Sequence, residues 1–409
     1  MHPILTLGSS QDTWLLAAVW MALAFAGALI SIRFRISAAL VEIVLGIIAG
    51  NLIALQTNTW IDFVAGFGAI MLTYLAGSEI NPQVLRRQWR PAALIGVLSF
   101  AAPFCAAMAY AFFVAHWTSD ASKVAGVAMS TTSVAVVYAV MLEAGLAGKD
   151  FGQLILAACF ITDLGTVVAL SLLFANYNGW LVLFLTASAA AVVIVPRLLP
   201  MAFERFGDRV SEPGARMLFA IILALAGLAT LAKSEGVLPA YVLGFASAGF
   251  LLSHIEFARR LRTTTMSLLT PFYFLKAGTL VSAVQVVAGF WTIAALFCVK
   301  VLAKSLGVWP AARAFGYGPV DATYVTLMMA TGLTFGTISS LYGLTHHYID
   351  QLQYSELVTV VIATAIVPTI IAQRHFPPTQ EVLEAESGGL EELEVMRRTD
   401  HGVAPGGTP

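Results

Sequence analysis

The chain predicts an all-α polytopic membrane protein, and three observations carry the prediction. Of its 409 residues 59% are hydrophobic and 11% charged, with a mean hydropathy of +0.84, whereas soluble domains carry about 25% charged residues. Apolar windows long enough to cross about 30 Å of hydrocarbon as helix recur from Trp14 almost to the C-terminus. Basic residues fall in alternate loops, the asymmetry that orients membrane helices. Because helices satisfy their own backbone groups inside lipid, these windows imply a helical bundle.

The windows lie at 14–32, 38–55, 60–76, 92–116, 124–143, 151–174, 180–199, 216–233, 238–252, 268–287, 290–312, 322–343 and 354–373, about thirteen spans. One side of the membrane receives seventeen Lys and Arg and the other only Lys123 and Lys233, while Lys276, Lys300 and Lys304 lie within spans. That split predicts an N-terminus outside and a C-terminus in the cytoplasm. No basic stretch precedes the first window, which reads as a retained helix rather than a cleaved signal. Residues 374–409, with Pro377, Pro378 and acids from Glu381 to Glu394, form a cytoplasmic acidic tail expected to be disordered apart from a short amphipathic helix near Leu390.

Composition also excludes function classes. The basic residues are spread over short loops, so no nucleic acid is expected as a partner. Cys105, Cys159 and Cys298 sit singly in apolar segments without metal spacing. No Gly-rich dinucleotide fingerprint is present, which argues against a nucleotide-binding domain and against a cofactor.

Two spans are unlike the others. The fifth carries Ser130, Thr131, Thr132 and Ser133 at mid-depth, and the twelfth carries Thr331, Gly332, Leu333, Thr334, Phe335 and Gly336 at the equivalent place. Such clusters suit helices that unwind halfway, and paired interrupted segments in two halves of a chain point to a transporter's binding site. The spacing fits two six-helix repeats, spans one to six and eight to thirteen. With span seven as connector, the repeats run in opposite directions.

Asp163 lies near the centre of span six, where an unpaired carboxylate is costly and by default marks an ion or proton site. Thr131, Thr132, Ser133 and Thr162 offer hard oxygens for an alkali cation, with back-bonding inside their own helices as the alternative role. Gly332, Thr334 and Gly336 are expected to shape the second interruption. Lys304 is also deep and needs a partner or must lose its proton; it is expected to be the counter-ion of Asp163, with stabilising the ends of the broken helices as the alternative role. Lys300, one turn away, is expected nearer the other end of its span. Lys276 is expected to snorkel or to pair with Glu42 or Glu79, and Glu143, Asp321, His346 and His347 are expected to be solvated at span ends.

Local motifs extend this reading. The run Ile70 to Glu79, Ser130 to Ser133 followed by Val134-Ala135-Val136-Val137, Phe151-Gly152-Gln153 leading to Thr162-Asp163-Leu164-Gly165, Pro271-Phe272-Tyr273-Phe274 with Gly278, Lys304-Ser305-Leu306-Gly307, and Thr331 to Gly336 together resemble the monovalent cation:proton antiporter-2 family of the sodium/proton antiporter superfamily. The resemblance runs from about Trp14 to Gln373. It implies a transmembrane antiporter domain over 1–373, with crossed discontinuous helices in an ion-binding core of spans 4–6 and 11–13, and a dimerisation part of spans 1–3 and 8–10. It also implies a homodimer. Asp163 takes the place of the acid that binds cation or proton, and Lys304 that of its counter-ion. Thr162 stands where electrogenic relatives have a second carboxylate, which favours electroneutral exchange.

The function expected is therefore exchange of Na⁺ or Li⁺ for H⁺ by alternating access, serving pH homeostasis, in a bacterial inner membrane. Exchange of K⁺ for H⁺ is the alternative. An intramembrane hydrolase, a channel and a transport-dead sensor are the rivals from other classes; aspartyl chemistry needs two cooperating carboxylates, and only Asp163 is central.

Overall fold

The computed structural model describes residues 13–34, 37–55, 57–78, 88–144, 146, 149–174, 179–206, 211–232 and 236–379. The acidic tail beyond Thr379 and Glu79 lie outside these residues. Among the described residues there is helix and no strand. Among these residues nine helical segments are long and apolar enough to cross a membrane, and shorter apolar helices lie at Ala38–Leu52 and Pro239–Ser253.

The first half comprises α1 (Thr13–Phe34), α2 (Ala38–Leu52), α3 (Thr59–Ser78), α4 (Trp89–Ala109, continued by a π-helical turn at Tyr110–Val114), α5 (Ser119–Ser130), α6 (Val134–Glu143) and α7 (Asp150–Leu173). After α8 (Gly179–Phe206) the second half comprises α9 (Pro213–Leu231), α10 (Val237–Ser253), α11 (Ile255–Thr264, then a π-helical turn at Thr265–Leu269), α12 (Thr270–Thr279), α13 (Ala283–Ala288), α14 (Phe290–Ala314), α15 (Pro319–Met329), α16 (Thr334–Thr345) and α17 (Gln351–His375). The fifth and twelfth predicted spans are thus each two half-helices, α5/α6 and α15/α16.

Packing sorts the helices into two sets. In one, α3 lies along α10, α2 along α12, α1 on α2, and α8 on α9 and α10. The other is built around α4, which lies between α7 and α14 and against α5, with α15, α16 and α14 all touching α17. Contacts of α7 with α10 join the sets.

The first set owes its closeness to glycine. A Cβ on Gly77 would lie 2.1 Å from the carbonyl oxygen of Tyr241, and one on Gly244 would lie 2.0 Å from that of Tyr74. Small residues let helix backbones meet where lipid supplies no hydrophobic drive. Side chains larger than hydrogen have no room at this crossing.

Three sequence expectations change. The tenth span does not run on to residue 287: helix α12 stops at Thr279, because Asn51 at the end of α2 satisfies the turn that follows. Its Nδ2 donates to the Val281 carbonyl at 2.8 Å, and its Oδ1 accepts from the Ala283 N–H at 2.9 Å. Lys276 pairs with Asp62, at 2.8 Å, in the first turn of α3 rather than with Glu42, while Glu79 lies outside the described residues. Asp321 is not solvated. It is 2% exposed, and its carboxylate accepts from the N–H and hydroxyl of Thr379 at 2.9 and 2.8 Å. His346 and His347 are exposed as expected.

Candidate ion-binding site

Helix α5 ends at Ser130 because Thr131 turns into an extended conformation, φ −62° and ψ 152°. The chain resumes helix at Val134, where the Ser133 hydroxyl accepts from the Val136 N–H at 3.4 Å. In the second half α15 ends at Met329, and α16 starts after Leu333 with φ −151° and ψ −76°. Neither interruption contains proline; hydroxyls competing for backbone groups and one glycine break the helices.

The two interruptions touch. The Ser133 N–H donates to the Thr331 carbonyl at 3.2 Å, and the Thr132 hydroxyl donates to the Met329 carbonyl at 2.9 Å. Each half-helix that stops at mid-depth leaves unpaired carbonyls and a negative dipole end. Lys304, reaching in from α14, meets those of α5: its Nζ donates to the Ser130 carbonyl at 2.9 Å, to the Thr132 hydroxyl at 2.9 Å and to the Ser99 hydroxyl at 2.8 Å. An ammonium has three donors, and all three are used here. Gly336 lets α16 press close, since a Cβ there would lie 3.1 Å from the Thr131 hydroxyl and 3.2 Å from the Ala128 carbonyl. Thr334 begins α16 and is buried.

Asp163 sits midway along α7 and is 1% exposed. Its Oδ1 has no hydrogen-bond partner among the described residues. Lys304 lies within electrostatic reach of it, although the three donors of Lys304 go to the interruption and to Ser99. A buried carboxylate oxygen without a hydrogen-bond partner is where a proton or a cation can be held.

The predicted hydroxyls divide by role. That of Thr132 lies at the junction of Lys304 and α15. The Thr131 hydroxyl donates to Ala128 and that of Thr162 to both Gly96 and Ala158, at 3.1 and 3.0 Å, which fastens α7 to α4. Thr166 joins them, donating to the Thr162 carbonyl and lying 3.4 Å from the Ser130 hydroxyl.

Sequence reasoning misplaced Lys300. Rather than lying toward the other end of its span, it is fully buried at the crossing, where a Cβ on Gly332 would fall 2.2 Å from its Nζ, and that nitrogen has no hydrogen-bond partner among the described residues. Ser99 was missed altogether. A serine among apolar residues, like many that only back-bond, gives no signal of its own.

The profile of the family described as "Sodium/hydrogen exchanger, transmembrane" matches residues 20–375. The chain belongs to this family. Its sequence is 23% identical over 368 residues to the Na(+)/H(+) antiporter of Enterococcus hirae, covering 84% of this chain and 93% of that protein. It is 25% identical over 272 residues to YjbQ of Bacillus subtilis (strain 168), but that match spans 60% of this chain and 44% of that longer protein. In three dimensions it resembles the sodium proton antiporter MjNhaP1 of Methanocaldococcus jannaschii, with a TM-score of 0.66 over 88% of this chain and 96% of that one. At 15% identity that likeness shows the fold. The family consists of secondary transporters, so the exchanger is an integral membrane protein and not an enzyme.

Proposed function

We propose that this exchanger moves Na⁺, or Li⁺, against H⁺ by alternating access, with Asp163 binding either ligand in turn. The supporting observation is the buried Asp163 carboxylate, whose Oδ1 has no partner, held in reach of Lys304 at two crossed interruptions. Competition for one carboxylate couples the two flows. A protonated acid is a poor cation ligand, and a bound cation opposes protonation. Thr131, Thr132, Ser133 and the carbonyls of the interrupted segments supply hard oxygens for the cation, while Thr162, beside Asp163 in sequence, spends its hydroxyl on the Gly96 and Ala158 carbonyls. Lys304 holds the end of α5 when the cation is present and answers the Asp163 charge when it is absent.

The same reading takes the set built around α4 as the moving core and the α3/α10 set as the dimerisation part of a homodimer. It places the chain in a bacterial inner membrane with the N-terminus outside and the acidic tail in the cytoplasm, and it requires no cofactor. K⁺ remains the alternative cation. The test is reconstitution of the full chain into liposomes with an imposed pH gradient, adding Na⁺, Li⁺ or K⁺ in turn. Wild type collapses the gradient on addition of Na⁺ or Li⁺, and Asp163→Asn does not; normal exchange by the variant overturns the assignment.

A further inference from the structure

Tyr241, in α10, joins the two helix sets beside the ion site by both a hydrogen bond and ring contacts. Its backbone belongs to the α3/α10 crossing: the Tyr241 carbonyl is the atom that a Cβ on Gly77 would strike. Its side chain belongs to the other set. The phenol donates to the Phe160 carbonyl of α7 at 3.1 Å, and the ring stacks on that of Phe160 with centroids 5.3 Å apart and planes 15° from parallel. The same ring meets Phe335, in the first turn of α16, edge to face at 5.9 Å. Phe245, one turn further along α10, completes the layer against Phe160 at 5.4 Å.

The placement has two consequences. Phe160 is three residues before Asp163, so the two side chains share a face of α7, and Tyr241 lies within electrostatic reach of Asp163. The aromatic layer therefore closes off the α10 side of the carboxylate. Tyr241 itself is 1% exposed. Moreover, its backbone is locked to one set while its hydroxyl and ring are bound to the other, so sliding of α7 and α16 past α10 breaks the phenol bond and unstacks the ring. Packed aromatic contacts of this kind have discrete arrangements and do not stretch continuously.

We infer that Tyr241 is a positioning residue that latches the Asp163 helix to α10 in the conformation described and must release for the site to change sides. The inference rests on the alternating-access reading. A latch that favours one of two access states biases their equilibrium by about two- to tenfold for a single hydrogen bond. Apparent affinity on each side scales with the population of the state that faces it. Losing the latch therefore strengthens apparent cation affinity from one side and weakens it from the other, whereas a merely structural defect weakens both or neither.

The experiment uses the full chain in liposomes of uniform orientation, with Na⁺-driven proton movement measured from each face. Tyr241→Phe keeps the ring and removes the bond. It is expected to move the two KM values for Na⁺ in opposite directions, the larger shift about threefold or more. Tyr241→Ala also removes the seal and is expected to pass protons without Na⁺. KM values that stay put or move together in Tyr241→Phe overturn the latch, even where Tyr241→Ala fails to fold. Absence of Na⁺-, Li⁺- and K⁺-driven exchange in the wild type contradicts the transport reading instead.

Discussion

Two of the close helix contacts among the described residues are built from opposite chemistry. Where α3 crosses α10, intact helices meet glycine to carbonyl. Where α5/α6 crosses α15/α16, the helices stop, and carbonyls, hydroxyls and Lys304 complete one another across the gap. The first contact is fixed by shape and has one solution. The second is fixed by polar partners, and polar partners can be exchanged for an ion, a proton or a water. The difference separates a region that fixes position from one that can change ligands.

The largest effect expected on this comparison comes from the carboxylate. Asp163→Asn abolishes cation-driven proton flux while leaving the thermal midpoint of the purified protein near that of wild type, because the carboxylate oxygen it alters has no partner to lose. A large drop in the midpoint would make Asp163 a structural residue.

Lys304→Met comes next. It strips a charge from three acceptors, at about 1.5–3 kcal/mol for a charge-assisted bond, so both exchange and stability fall. A variant that keeps exchange would remove Lys304 from the cycle. At the other crossing, Gly244→Val drives a side chain into the Tyr74 carbonyl and costs about 1–3 kcal/mol or more by overpacking. Transport per folded molecule is expected to survive, measured as flux normalised to the monodisperse fraction. Loss of turnover without loss of stability would erase the distinction between the two regions.

The smallest effect concerns Thr162. Its hydroxyl is committed to the Gly96 and Ala158 carbonyls, so Thr162→Val costs about 1 kcal/mol of stability. The KM for Na⁺ is expected to change less than about twofold, a shift worth under half a kcal/mol. A tenfold rise would make Thr162 a ligand.

Much of this molecule is legible in its sequence, for identifiable reasons. Hydropathy places the spans because lipid forbids other solutions. The interruptions announce themselves because hydroxyls and glycine cluster at mid-depth in two corresponding spans, and Asp163 because a lone acid there is expensive. What escapes is whatever depends on how helices rotate. Lys300 and Lys304 are one turn apart on one face, and helical spacing alone does not say which reaches the crossing; both do. Asp321 at a helix start looks like a solvated cap until Thr379 folds back over it. Tyr241 reads as one more aromatic in an apolar helix, since nothing in its neighbours distinguishes contact with α7 from contact with lipid.

The central claim is that one carboxylate holds a proton or a cation but not both. It is tested most directly by adding Na⁺ to the purified exchanger in weakly buffered detergent solution and recording proton release across a range of pH. The account predicts that wild type releases protons on binding Na⁺, that Asp163→Asn releases none, and that apparent Na⁺ affinity weakens about tenfold per pH unit in the acid range, as one-for-one competition requires. Sodium binding that releases no proton and keeps the same affinity at every pH would contradict it.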